Sequence, residues 1–240
     1  MYPDFKNKST LGEIRARFDN DVDRFADLET GQQSTIDAPL SLDLIADAAR
    51  RVTPAAANLL DIGCGAGNYT LKMLTKLPGL SCTLVDLSGP MLERAGERVR
   101  AATTGDVTAV QGDIRDVALP AGQYDIVLAG AVLHHLRDDE DWQAVFGRIY
   151  GLLKPGGSFW ISDLVTHNSE EVTALFRDRY GDYLASIGGA AYRDSVFAYI
   201  QQEDSPRSVT YQLDLLRKVG FREVEILHKN SCFAAFGGIK

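Results

Sequence analysis

Asn58-Leu59-Leu60-Asp61-Ile62-Gly63-Cys64-Gly65-Ala66-Gly67 is the stretch on which the rest of the chain turns. Residues 58–62 are an apolar burst that fits a parallel strand buried on both faces. Glycines 63, 65 and 67 end it, and a helix carrying Tyr69, Leu71 and Leu74 begins. Glycine in such a turn lets the backbone bend sharply and lets a ligand approach the main chain. The next strand, residues 82–86, ends on Asp86, twenty-five positions after Asp61. An acid at that strand end is placed to accept hydrogen bonds from ribose hydroxyls. The sixth position of the glycine pattern is Asn68, so a dinucleotide fingerprint fails, and no phosphate-loop lysine follows. A cofactor with an adenosine and no phosphate fits what is left.

Working outward, the strand-to-helix alternation extends from about residue 40 to residue 163. Thr10 and Glu13 fit a capping box ahead of a short helix towards Phe18. Residues 29–37 read as a polar loop and 40–51 as a helix. Ser88 is placed to cap a helix starting near Pro90. Residues 107–111 and 124–128 read as strands. Trp142, Val145, Phe146, Ile149 and Leu152 then mark one apolar helix face, stopped by Lys154-Pro155-Gly156-Gly157 before a fifth strand at 158–162. Residues 168–200 are helical and aromatic-rich, 201–209 are a polar break, and a helix through Leu213 and Leu216 ends at Gly220. Two strands near 222–228 and 232–237 close the chain. The expected fold is α/β, a doubly wound, Rossmann-like sheet of parallel strands with right-handed crossovers. We expect a single domain over 1–240, with 1–39 and 164–205 as lid segments over one sheet edge.

The chain has 240 residues, 45% hydrophobic and 24% charged, with a net charge of -8, ordinary values for one globular domain. An acidic balance argues against a nucleic-acid partner, whose phosphates reward a basic face. Cys64, Cys82 and Cys232 are odd in number and lack metal-ligand spacing, so neither a disulfide framework nor a zinc site is expected. No apolar run reaches the length of a membrane span, and residues 1–10 lack the apolar core of a signal peptide. The expectation is a cytoplasmic protein, monomer or homodimer, with a small-molecule substrate and no membrane or nucleic-acid partner.

Taken in order, these segments resemble the motifs of class I S-adenosylmethionine-dependent methyltransferases. Asp61-x-Gly63-x-Gly65-x-Gly67 is similar to the first motif, and Leu84-Val85-Asp86-Leu87-Ser88 to the second. Gln111-Gly112-Asp113-Ile114 is similar to the third, and Tyr124 to Val127 through Leu133-His134-His135-Leu136 to the fourth. The resemblance implies a seven-stranded sheet with an antiparallel C-terminal hairpin. It implies S-adenosylmethionine as cofactor, with S-adenosylhomocysteine as product. It also implies cofactor contacts at Asp61, Gly63, Cys64, Gly65, Gly67, Asp86, Leu87, Met91, Gly112, Asp113, Ile114, Ala129 and Gly130. In that family the Asp113 position meets the adenine amine and the Ile114 position covers the ring. The tail and the Phe18-Asp19 region are also similar to carboxy-S-adenosylmethionine synthase-like proteins, which take part in modifying a tRNA wobble uridine. The arginine that binds the cofactor carboxylate in that family falls on Leu215 here, which favours the ordinary cofactor and methyl transfer. An RNA-modifying enzyme and a non-catalytic cofactor-binding protein remain as alternatives.

On the acceptor side the candidates are Phe18, His134, His135, Asp163, His167 and Tyr180. His134 lies just past the fourth strand, at the carboxyl edge where open α/β sheets bind ligands. With an ordinary imidazole pKa it would suit proton removal from the acceptor; the other reading is a packed, structural histidine. Asp163 and His167 are candidates for substrate or metal, but a metal-dependent transfer wants several clustered acids, and no metal is expected. The tyrosines between 180 and 199 are either an acceptor pocket or core.

Overall fold

The computed structural model describes residues 7–27 and 31–240. Residues 1–6, and Glu29 and Thr30 of the expected polar loop, lie outside the described residues. Helix α1 (Leu11–Asp19) opens with the expected capping box: the Glu13 N–H donates to Thr10 Oγ1 at 3.3 Å, and the Thr10 N–H donates back to Glu13 Oε2 at 2.8 Å. Helices α2 (Val22–Ala26) and α3 (Ala38–Val52) follow, then β1 (Asn58–Ile62), α4 (Asn68–Lys76), β2 (Ser81–Asp86), α5 (Gly89–Ala102) and β3 (Val107–Gln111). Ser88 caps α5, accepting from the Met91 N–H at 3.2 Å, with proline in the first turn. The chain continues through β4 (Tyr124–Gly130), a single 3-10 turn (Leu133–His135), α6 (Asp139–Leu152), β5 (Leu153–Leu164), α7 (Glu170–Glu203), α8 (Val209–Val219), β6 (Glu223–Asn230) and β7 (Phe233–Ile239).

The sheet order is β3-β2-β1-β4-β5-β7-β6. The first five strands pair in parallel, while β7 runs antiparallel to both β5 and β6, the expected Rossmann-like topology with its closing hairpin. Side chains alternate between the faces of a strand, and here that alternation divides the core. Leu60, Val127 and Phe159 face α6 and α8, beside Phe146 and Leu216. Their neighbours Leu59, Ile126 and Trp160 face α3, α4 and α5, beside Ile45, Met73 and Val99. Both layers are dry, which is why these strands read as continuous apolar runs. No helix among the described residues is long and apolar enough to cross a membrane.

Two elements differ from expectation. The Lys154–Gly157 stretch ends α6 as expected but already belongs to β5. Gly156 takes a left-handed φ of 78° and the β4–β5 register shifts between Tyr124 and Ile126, so the turn is absorbed within the strand. Lys154 Nζ fastens it by donating to both carboxylate oxygens of Asp125 at 2.9 Å. Helix α7 is broken at Gly189, whose φ of 78° and ψ of -178° are not helical. Its first half packs Tyr180 and Leu184 on Leu164 and Phe233, a small cluster apart from the two sheet layers.

Phe146 is fully buried between Trp142 and Phe159 in the α6 layer. Phe146→Ala should cost about 3–5 kcal/mol of unfolding free energy, read by chemical denaturation; a loss under about 1 kcal/mol would mean that this layer is not the packed core described here.

Candidate functional site

The connection direction of the sheet reverses between β1 and β4, and in open α/β sheets ligands bind in the crevice beyond the strand ends at that point. A cavity of about 390 Å³ lies there. Its floor is the two turns after β1 and β4. Gly63 takes a φ of 63°, and a Cβ there would overlap the Val132 side chain. A Cβ on Gly130 would overlap the Tyr69 ring. Gly65, with a φ of 51°, has nothing within 4 Å of where its Cβ would be, so the main chain is bare to the cavity there. Ala131 adopts a φ of 53° without being glycine and donates its N–H to Ser162 O at 2.8 Å.

Asp86, at the end of β2, lines the same cavity. Its carboxylate accepts from the Gly65 N–H at 2.8 Å and from the Ser88 N–H at 2.9 Å. Burial pushes its pKa up, against the pull of these backbone donors and of the Leu87 N–H. The acid is thus held rigid by the glycine turn, with lone pairs left for a ligand. Asp61 is different. Its Oδ2 accepts from Thr70 Oγ1 at 2.7 Å beneath the turn, and it does not reach the cavity. Burial, aided by the Asp86 charge, pushes it up to about 7.

On the cofactor side Gly63, Cys64, Gly65, Asp86, Leu87, Met91 and Gly130 line the cavity, while Asp61, Gly67, Gly112, Asp113, Ile114 and Ala129 do not. Asp113 is already committed: Arg115 Nε and Nη2 donate to its two oxygens at 2.9 and 2.7 Å, and the Arg115 N–H adds a third bond at 2.9 Å. Leu215, the position compared with a cofactor-binding arginine, is buried in the α6–α8 layer, away from the cavity.

On the opposite wall Phe18, His134, His135, Asp163 and Tyr180 are brought together and His167 is not. His167 instead stacks on Phe176 at 4.5 Å, with Lys229 Nζ 3.2 Å from its Nε2. Asp163 faces inward to the protein: it accepts the N–H groups of Leu133, His134 and Leu164 at 2.9, 3.2 and 2.7 Å and a short bond from His134 Nδ1. The expectation of an ordinary imidazole at His134 is corrected. Burial would lower its pKa, but Asp163 and Asp204 outweigh that and push it up to about 9. At neutral pH it is a buried cation rather than a free base. His135 goes the other way, held well below its usual value by burial and by the charges of His134 and Arg17.

Several cavity residues were not anticipated. Arg17 of α1 donates from Nε to Glu203 Oε1 at 3.0 Å and from Nη2 to Glu203 Oε2 at 2.9 Å and Tyr199 OH at 2.7 Å, its plane 4.1 Å over the Phe18 ring. The Ser205 N–H donates to His134 O at 2.7 Å, and the Ser9 N–H to Gln202 O at 3.0 Å. These bonds fasten the start of the chain and the end of α7 across the cavity mouth, and bring Asp204 beside the two histidines. Their sequence separations of 186 and 193 residues explain why no local pattern announced them.

Comparison with known proteins agrees with this geometry. Residues 59–157 match the model of a methyltransferase domain. Over these residues the chain is similar to that domain. A methyltransferase of Mycobacterium tuberculosis is 33% identical over 108 residues, 45% of this chain and 51% of that protein, so the chain spans about half the length of this relative. A carboxy-S-adenosyl-L-methionine synthase of Vibrio atlanticus is 26% identical over 196 residues, 80% of each chain. In fold, the domain is similar to the 1,6-didemethyltoxoflavin-N1-methyltransferase of Burkholderia thailandensis, with a TM-score of 0.63 and 17% identity, covering 95% of this chain and 87% of that one.

The raised Asp61 makes a prediction about pH. Between about pH 4 and pH 7 the unfolded chain has released this proton and the folded chain keeps it, so stability falls as pH rises, by up to ~1.4 kcal/mol per unit. Asp61→Asn should flatten that part of the wild-type slope in denaturation curves taken across the window. An unchanged slope would show Asp61 to be ionised in the fold.

Proposed function

We propose that the chain transfers a methyl group from S-adenosylmethionine to a small-molecule acceptor enclosed under α1, α2 and α7. The observation that carries this reading is the Asp86 carboxylate, held by the Gly65 N–H on the wall of the same cavity that the bare glycine turn lines. The residues present fit that cofactor. Asp86 would accept the ribose hydroxyls, Leu87 and Met91 offer an apolar wall for the adenine, and the Gly63–Gly65 backbone admits the amino-acid end without a side chain in the way. Asp113 keeps its Arg115 partner in this fit, so the adenine rests on its apolar neighbours.

The cofactor, when bound, supplies an electrophilic methyl group on a sulfonium. The protein's part is to hold the acceptor in line with it, which is worth far more than any stabilisation of developing charge in such a displacement. Phe18, Tyr180, Tyr192 and Tyr199 enclose the acceptor space, and the Arg17–Glu203 pair ties the lid segments that exclude water. The charged His134 keeps Asp163 and Asp204 in place, so in this reading it positions the wall and does not remove a proton. The net charge of -8 supports a small acceptor over nucleic acid.

A carboxylated cofactor is the second reading, favoured by the likeness to the Vibrio synthase over 80% of both chains. Against it stands Leu215, buried in the core where a cation would be wanted.

Calorimetry should show binding of S-adenosylmethionine and S-adenosylhomocysteine and none of NAD. Charged hydrogen bonds contribute roughly 1.5–3 kcal/mol each, so Asp86→Ala should weaken cofactor binding by about tenfold or more. Unchanged affinity in the variant would remove the assignment. Mass spectrometry of nucleoside released from the purified protein separates the two cofactor readings.

A further inference from the structure

Three ligating side chains converge on the acceptor wall of the cavity, and positioning for methyl transfer leaves two of them unexplained. His134 and His135 are consecutive in the 3-10 turn after β4, and Asp204 follows the last turn of α7. Asp204 Oδ1 lies 3.6 Å from His134 Nε2 and 3.4 Å from His135 Nδ1. One ligand atom from each of the three lies within 4.8 Å of the others. All three residues line the cavity.

The hydrogen bonding around them is incomplete. Among the described residues neither ring nitrogen of His135 has a well-aligned hydrogen-bond partner, the Glu203 backbone being the one group that bears on the ring, and Asp204 Oδ1 has none either, although the Asp204 side chain is only 2% exposed. The 3.4 Å between His135 Nδ1 and Asp204 Oδ1 is short enough for attraction but is not aligned as a hydrogen bond. Roughly nine-tenths or more of buried polar atoms in native folds are satisfied, and three unsatisfied ligand atoms converging on one point of a cavity call for an ion, a water or a ligand there. Ligand atoms about 2.0–2.1 Å from a tetrahedral ion are separated by about 3.4 Å along each edge. Two of the three edges here, at 3.6 and 3.4 Å, are close to that length, and the third is within 4.8 Å.

What surrounds the triad favours a cation. His134 Nδ1 is bonded to Asp163, whose remaining acceptor capacity is taken by three backbone N–H groups. A carboxylate behind a ligating imidazole fixes the ring and aims its other nitrogen at the metal, and here that aims Nε2 at Asp204. Three basic groups near the triad among the described residues are turned elsewhere. Arg17 is held by Glu203 and Tyr199, Arg137 by Ser9 O and Ser205 Oγ as well as Glu203 O, and Lys8 Nζ by the carbonyls of Gln201 and Asp204.

We propose that His134, His135 and Asp204 bind one divalent transition-metal ion, which takes the place of the proton on His134 Nε2 and releases it to solvent, with its remaining coordination positions facing the cavity. Two imidazoles and one carboxylate suit zinc or ferrous iron and are too poor in oxygen for calcium or magnesium. The open positions would take an oxygen of the acceptor, which makes a chelating small molecule, one with neighbouring hydroxyl, enol or keto oxygens, the class of substrate this wall selects. The site itself does not rest on the methyl-transfer reading, and its test is binding alone.

The full chain, stripped with EDTA, is titrated with Zn²⁺ by calorimetry and with Co²⁺ by visible spectroscopy. One ion per chain should bind with micromolar affinity or tighter, and the Co²⁺ protein should gain visible ligand-field bands. His135→Ala, at a partly exposed position, and Asp204→Asn should each weaken binding by about tenfold or more, as should Asp163→Asn through the orienting carboxylate. Melting temperatures identify any variant that does not fold, and the wild-type stoichiometry needs no variant. Absence of stoichiometric Zn²⁺ and Co²⁺ binding in the wild type overturns the proposal. So does binding that folded His135→Ala and Asp204→Asn proteins both retain in full, which would move the ion to another site.

Discussion

Where β1 ends, Gly63 lies against the side chain of Val132, closer than any β-carbon would permit. That contact joins the turns after β1 and β4, the two strands that flank the reversal of the sheet. It is possible only because residue 63 has no side chain and takes a left-handed φ. Everything on the floor of the cavity is placed relative to it. The Gly65 N–H that holds Asp86 comes two residues later on one side. The turn bearing His134 and His135 begins one residue after Val132 on the other.

The cavity is also defined by acids. Asp61, Asp86, Asp163 and Asp204 are all buried or nearly so around it, in a chain that is acidic overall. Each is handled differently. Asp86 and Asp163 rest on backbone N–H groups, Asp61 on the hydroxyl and backbone of Thr70, and Asp204 faces the His134 imidazole through an Oδ1 that makes no hydrogen bond among the described residues. Burial raises the pKa values of Asp61, Asp86 and Asp204, so a hydrogen-bond donor or cation that reaches the exposed oxygens of Asp86 or Asp204 stabilises the ionised acid there.

The fold was legible because its strands are buried on both faces, and such strands announce themselves as apolar runs bounded by glycine. Residues 58–62 fall where the sequence placed them, as do 107–111, the half-exposed edge strand. The meeting of Asp86 and the glycine turn at one cavity was legible for the same local reason, since they are fixed by adjoining strand-turn-helix units. Asp113 was legible as a motif but not as a contact, because Arg115, two residues on, neutralises it. The Arg17–Glu203 pair and the approach of Asp204 to the histidines are long-range contacts with no periodicity to betray them; only the polarity of residues 201–209 hinted that something there is held by side chains. The charge state of His134 follows from two carboxylates contributed by different elements, which no reading of Leu133–Leu136 supplies.

The break in α7 at Gly189 interrupts the ladder of backbone hydrogen bonds that would otherwise couple its two halves. The first half, with Tyr180 and Leu184, is bolted to Leu164 and Phe233 at the sheet edge. The second half carries Tyr192, Val196 and Tyr199 into the cavity. The same half returns Phe197 and Ile200 to that cluster, with the Phe197 ring 5.8 Å from Tyr180, so side-chain packing joins the two halves where the backbone ladder is broken.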